Sequence, residues 1–289
     1  MLEDRLHSIV VALSRDYPSR SGLNPSVLRG SSLFLEQQLQ SAGYEVLIES
    51  YRAGGLEARN LFAEKRGTDH RRPIIIVGAH YDTVIGTPGA DDNASGVAGL
   101  LALAGLLKNH PNRSTIRFVL FANEEPPYFG TSQMGSMHHA AGLRKDRVNV
   151  GAMLCLEMIG YGGEEKMQSY PFPFLRQLGR YPRRGNYIAL VSDVRSRRLL
   201  RRVKPAMRKG CDLGVESIVM PGFIPPLNLS DHAAFWKHGF PALMITDTAF
   251  LRNPHYHLAS DTADTLNYVF LRNVVQGVYA AILALDDTD

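Results

Sequence analysis

The sequence predicts an α/β fold, a mostly parallel central sheet with helices on both faces. Three observations carry that expectation. The apolar runs 73–79, 114–123, 148–156 and 241–246 are continuous, not alternating, which is the pattern of strands buried on both faces. Segments of helical character separate the runs. His80, Asp82, Glu124, Glu125 and Glu157 stand at or just beyond the ends of three runs, where open parallel sheets bind ligands.

Taken in order, residues 3–16 place apolar side chains at helical spacing behind early acidic residues, an amphipathic helix and not a signal peptide. A second helix is expected over 25–42, opened by Asn24-Pro25 and stopped by Gly43. Residues 44–51 and 58–64 read as strands joined by a turn at Gly54-Gly55. The run 73–79 then delivers His80 and Asp82 in an H-x-D arrangement. A loop with Gly86, Pro88 and Gly89 leads to Asp91-Asp92, and Asn93, Ser95 and Gly96 open an apolar helix reaching about 108. Taken alone, that acidic pair reads equally well as a turn capping this helix.

The run 114–123 ends on Glu124-Glu125, and the loop PPYFGTSQ separates it from a helix through His138, His139 and Ala140. The run 148–156 ends on Glu157. A strand at 186–192, a basic helix at about 194–209, a short helix at 230–237, the strand 241–246 and a closing helix over 265–285 complete the order. No repeat, low-complexity tract or linker divides the chain, so residues 1–289 are expected to form one domain. Residues 160–229 are its least regular part and a candidate cap or insertion.

Composition narrows the function classes. With 45% apolar and 21% charged residues, the chain has ordinary globular material, and no apolar run approaches the roughly 20 residues of a membrane span. If Met1 is the native start, a cytoplasmic location is expected; a removed signal would make the protein secreted or periplasmic. Cys155 and Cys211 are the only cysteines and lack C-x-x-C spacing, which argues against sulfur-ligated metal or redox chemistry. Much of the net charge of +4 comes from Arg176, Arg180, Arg183, Arg184, Arg195, Arg197, Arg198, Arg201, Arg202 and Lys204. Aromatic residues are not interleaved through the densest part, so it reads as a solvated helix face. No nucleic-acid or membrane partner is expected, and the oligomeric state is open.

Histidine and carboxylate are zinc's usual non-sulfur ligands. Five positions can make a two-metal centre: Asp91 as a bridge, His80 and Glu157 on one side, Glu125 and His257 on the other. Such a centre activates a water and polarises a carbonyl. Glu124, beside a ligand, is placed to act as general base. The last polar segment, RNPHYHLASDTADTLNY, adds His255, Tyr256 and Asp261.

GAHYDT, GADDNASG, NEE, LEMIGY, SDHAAF and PHYH-x-x-x-DT, in this order and spacing, resemble the co-catalytic di-zinc aminopeptidases. These are metallopeptidase family 28, the aminopeptidase Y group. The resemblance runs from about 58 to 270 and implies a zinc-exopeptidase (phosphorylase/hydrolase-like) architecture, a single catalytic domain and two Zn2+ ions. It implies that His80, Asp91, Glu125, Glu157 and His257 are the ligands, with the Asp91–Asp92 peptide cis. By the same resemblance Glu124 is the base, Tyr256 a hydrogen-bond donor to the tetrahedral intermediate, and Asp82, Asp92 and Asp231 supporting residues. Peptides with a free N-terminus are the implied substrates. Glu157 departs from the Asp common in the group, and PPYFGTSQM lengthens the loop before Gly135-Ser136, making Tyr128 and Phe129 candidate pocket walls. A glutaminyl cyclase, and a carboxypeptidase or amidohydrolase, are alternatives on the same fold; a non-catalytic relative should lack a ligand or the base. His110, His138, His139 and His238 read as surface or cap residues, and Phe235, Trp236 and Phe240 as core.

Overall fold

Eight strands form one sheet that runs through the whole protein. The structure is a computed structural model describing residues 1–170, 182–224 and 227–287. Helix α1 (Leu2–Val11) continues into a π-helical turn, Ala12–Asp16, and α2 is Pro25–Ser41. Strands β1 (Val46–Ala53), β2 (Leu56–Lys65) and β3 (Ile74–His80) follow, then α3 (Gly96–Leu107) and β4 (Ile116–Phe121). Next come α4 (Gly135–Lys145), β5 (Val150–Leu156), β6 (Gly163–Met167), β7 (Arg184–Gly185) and β8 (Tyr187–Ser192). The chain closes with α5 (Arg197–Gly210), β9 (Gly214–Val219), α6 (His232–Lys237), β10 (Ala242–Thr246) and α7 (Tyr268–Asp286).

The strand order is β1-β2-β4-β3-β5-β10-β8-β9, with β6 and β7 in a separate small ribbon. The central four, β4-β3-β5-β10, run parallel. The antiparallel pairings lie outside them, at β1-β2, β2-β4 and β10-β8. Alternation along each central strand divides the interior into two cores. Ile75, Val77 and Ala79 of β3 join Phe118 and Leu120 of β4 beneath α1, α3 and α7. Ile76, Val119 and Phe121 face the opposite way, toward α4 and α6. Apart from Arg117 within β4 and the terminal His80 and Thr246, the central strands carry no polar side chain, because both faces are covered. A side chain on Gly78 of β3 would meet the Phe121 ring at 2.5 Å, so this close approach needs glycine.

Part of the candidate cap belongs to the sheet. Within 160–229, β8 and β9 extend the main sheet beyond β10, and α5 packs between them and α7. Leu199, Leu200, Val203 and Met207 point inward from α5, while Arg197, Arg198, Arg201 and Arg202 are exposed. Lys204 and Arg208 each reach Glu216, both at 3.7 Å. The basic stretch therefore forms a solvated face; its members Arg176 and Arg180 lie outside the described residues.

Helix α7 is long and largely apolar. Among the described residues it alone has the length and mean hydropathy of a membrane span, because Arg272, Asn273 and Gln276 interrupt its apolar run without lowering the average enough. Here its apolar face is packed into the core, with Phe270, Leu271, Val274, Val275 and Val278 buried.

Candidate metal centre

The site sits at the carboxyl end of the parallel strands. Strand β3 ends on His80, which is fully buried. Its Nδ1 donates to the Asp82 carbonyl at 3.2 Å, which leaves Nε2 free as a ligand atom. The Asp82 carboxylate stands behind the same ring, 3.6 Å from Nδ1. That carboxylate also accepts the Glu124 N–H at 3.0 Å and the Glu125 N–H at 3.1 Å, fixing the turn after β4.

The loop from Tyr81 to Ser95 decides which aspartate faces the site. Asp92 Oδ1 lies 3.4 Å from His80 Nε2, and Oδ2 lies 3.2 Å from His257 Nε2. Glu157 Oε2, just past β5, is 3.2 Å from His80 Nε2, and Glu125 Oε2 is 3.4 Å from His257 Nε2. Two groups result, His80–Asp92–Glu157 and Asp92–Glu125–His257, each with ligand atoms within 4.8 Å of one another. Asp91, expected as the shared ligand, is turned the other way. Its oxygens accept from Gly160 N at 2.9 Å and Asn253 Nδ2 at 2.7 Å. The non-proline cis peptide accordingly joins Asp92 to Asn93, not Asp91 to Asp92. Gly89 (φ +61°) permits the turn, since a side chain there would meet the Asp92 carbonyl at 2.4 Å.

Glu124 Oε2 is 4.0 Å from His80 Nε2. Burial, with the charges of Glu125 and Glu157, pushes its carboxyl well above the usual range. Burial and Asp92 push Glu125 up to about 7. Burial lowers His257, but Asp92 and Glu125 outweigh it and bring it up to about 10. Four buried carboxyl groups thus converge on two imidazoles, an acidic cluster whose charge divalent cations would neutralise. His80 Nε2 and Asp92 Oδ1 are buried without a hydrogen-bond partner among the described residues. Orphaned acceptor atoms facing one another across such a cluster fit divalent zinc with nitrogen and oxygen ligands.

The other expected residues fall in different places. The Tyr256 ring stacks on the His257 imidazole, centroids 3.7 Å apart, and lines an apolar cavity of about 130 Å³ beside Glu157. Burial and the nearby carboxylates push its phenol up, so it remains a donor. Asp231, fully buried, is pushed up to about 7 by its burial. Tyr128 and Phe129 do not line the cavity beside Glu157. A side chain on Gly22 or Gly54 would collide with Tyr128, whose ring packs on Tyr51, Ala53 and Ala58, while Phe129 packs with the core beneath α4 and α6. Phe129 lines a second cavity together with Ser230. Val191, Ile218 and Met244 line the cavity beside Glu157 instead. His232 and His255 also bond locally, to the Leu227 carbonyl and Ser260.

Several contributors escape sequence inspection. Ser230 donates to Glu157 Oε2 at 2.6 Å, Asn93 Nδ2 donates to the Leu156 carbonyl at 2.9 Å, and Asp247 is hydrogen-bonded to Asp91. Arg20 is the largest omission. Fully buried, it donates to the carbonyls of Tyr81, Pro88 and Gly89, each at 2.7 Å, and of Leu13 at 3.2 Å. It therefore clips together both ends of the loop between His80 and Asp92, and no local pattern marks it. Arg20→Met should strip these carbonyls of their guanidinium donor and lower unfolding free energy by about 3 kcal/mol. An unchanged denaturation midpoint in the metal-free protein would contradict that.

The Peptidase family M28 model matches residues 60–282. Uncharacterized protein YfbL of Escherichia coli (strain K12) is 42% identical over 284 residues, 95% of this chain and 86% of that protein. A probable leucine aminopeptidase of Arthroderma benhamiae is 30% identical over 208 residues, 67% of this chain and 49% of its own. The chain thus spans about half the length of that aminopeptidase. The structure of BSAP, a zinc aminopeptidase from Bacillus subtilis, superimposes with a TM-score of 0.76 at 15% identity, covering 97% of this chain and 94% of that one. A glutaminyl cyclase from Fimbriiglobus ruber gives 0.68 at 21% identity, covering 98% and 95%. At these identities the structural likeness is one of fold.

Proposed function

The chain belongs to peptidase family M28, and on that footing we propose that it is a metal-dependent aminopeptidase acting on peptides with a free N-terminus. The observation that carries the reading is the division of Asp92, which offers one carboxylate oxygen to each of two clusters. His80, Asp92 and Glu157 would hold one zinc ion, and Asp92, Glu125 and His257 a second. When bound, the ions supply Lewis-acid polarisation of the scissile carbonyl and acidify water.

The chain's own residues do the rest. Glu124, held by Asp82 through its backbone and raised by burial, accepts the proton of the attacking water and later delivers it to the leaving amine. Tyr256 donates a hydrogen bond to the oxyanion of the tetrahedral intermediate. The apolar cavity between Glu157 and Tyr256 takes the side chain of the N-terminal residue.

A glutaminyl cyclase is the second reading, favoured by the likeness to the Fimbriiglobus ruber structure. It would need one metal, leaving the His80–Glu157 pair without a task. Mass spectrometry of unblocked peptides, one beginning with Gln, separates the two. With zinc-loaded protein, stepwise loss of N-terminal residues that a chelator abolishes is the expected result. Loss of ammonia from the Gln peptide alone would replace the reading with the cyclase, and shortening from the other end with a carboxypeptidase.

A further inference from the structure

Asp91 is fully buried beside the shared ligand, and its hydrogen bonds lead to the loops that carry the other ligands. Toward Glu157, its Oδ1 accepts from Gly160 N at 2.9 Å. Its carbonyl accepts from Ser95 Oγ at 2.8 Å, and that hydroxyl accepts from Ile159 N at 3.0 Å. Toward His257, its Oδ2 accepts from Asn253 Nδ2 at 2.7 Å, while Asn253 Oδ1 accepts from His255 N at 2.9 Å. Its own N–H donates to Asp261 Oδ1 at 2.9 Å, and the other Asp261 oxygen accepts from Asp92 N at 3.1 Å. The segment bearing the shared carboxylate is therefore tied both to the Glu157 loop and to the His257 segment.

We propose that Asp91 is a positioning residue that sets the separation of the two ligand clusters, acting through Gly160 and Asn253 and never as a ligand. The inference rests on reading those clusters as metal sites. Gly160 and Asn253 both present N–H donors, so the position needs acceptors on both branches, which a carboxylate supplies and an amide does not. Outer-shell partners of this kind usually change metal affinity by about 10–100-fold when replaced.

The test is a swap. Asp91→Asn retains the shape but turns an NH2 toward the NH2 of Asn253; Asp91→Asn with Asn253→Asp restores a donor–acceptor pair in reverse. Stepwise zinc affinities, from competition with a chromophoric chelator, and the visible spectrum of the cobalt-loaded protein are measured on the full chain. The single variant should bind metal about 10–100-fold more weakly with an altered cobalt spectrum, and the swap should regain most of both. Wild-type affinities and spectrum in Asp91→Asn, or no recovery in the swap, would overturn the inference alone. A wild type that binds no metal would overturn the reading of the clusters and the inference with it. Should Asp91→Asn fail to fold, Asn253→Ala decides: it should weaken the ion at Glu125 and His257, and unchanged affinity there overturns the proposal.

Discussion

Asp92→Ala is expected to remove both metal ions at once. Its carboxylate faces His80 Nε2 at 3.4 Å with one oxygen and His257 Nε2 at 3.2 Å with the other, so truncation takes a ligand from each cluster. The loss should exceed the roughly 100-fold ceiling typical of outer-shell changes, at both sites. Glu157→Ala and Glu125→Ala each touch a single cluster and should leave the other ion's affinity much closer to wild type. Isothermal titration with zinc distinguishes these patterns. Two ions retained by Asp92→Ala would show that the carboxylate is not shared.

Glu124→Gln should leave metal stoichiometry intact and remove turnover. The amide keeps the size of the side chain and leaves untouched the backbone N–H that Asp82 holds, but it cannot take a proton. General acid–base groups contribute about 10²–10⁴-fold to rate, and the proposed mechanism uses Glu124 at both proton transfers, so the drop should lie near the top of that range. The measurement is kcat on a peptide that wild type cleaves, with zinc content determined on the same sample. Retained turnover with full metal would remove Glu124 from the mechanism.

The two predictions draw on different levels of the chain. Glu124 was identifiable from sequence because it follows a buried strand directly, and strand ends in a parallel sheet face one common edge. His80, Glu125 and Glu157 were legible for the same reason. The apolar runs also foretold the central strands, since continuous hydrophobicity records coverage on both faces. β9 was not anticipated: with Val215 inward but its other residues partly or fully exposed, it lacks that signature.

Between Asp91 and Asp92, sequence alone decides nothing. Both are acidic and adjacent, and in an irregular loop the direction of each carboxylate follows backbone angles set by distant contacts. Here Arg20 holds the loop's carbonyls and Asp261 its amides, turning Asp92 into the site and Asp91 away from it. The same holds for Tyr128, which sits next to the ligand-bearing turn in sequence yet packs against the β1–β2 hairpin. The sheet and the acidic residues at its strand ends were legible in the chain itself, because periodicity and strand polarity are local properties. Which aspartate the two clusters have in common, which residues line the cavity and the buried Arg20 clip depend instead on hydrogen bonds or packing between segments far apart in the chain.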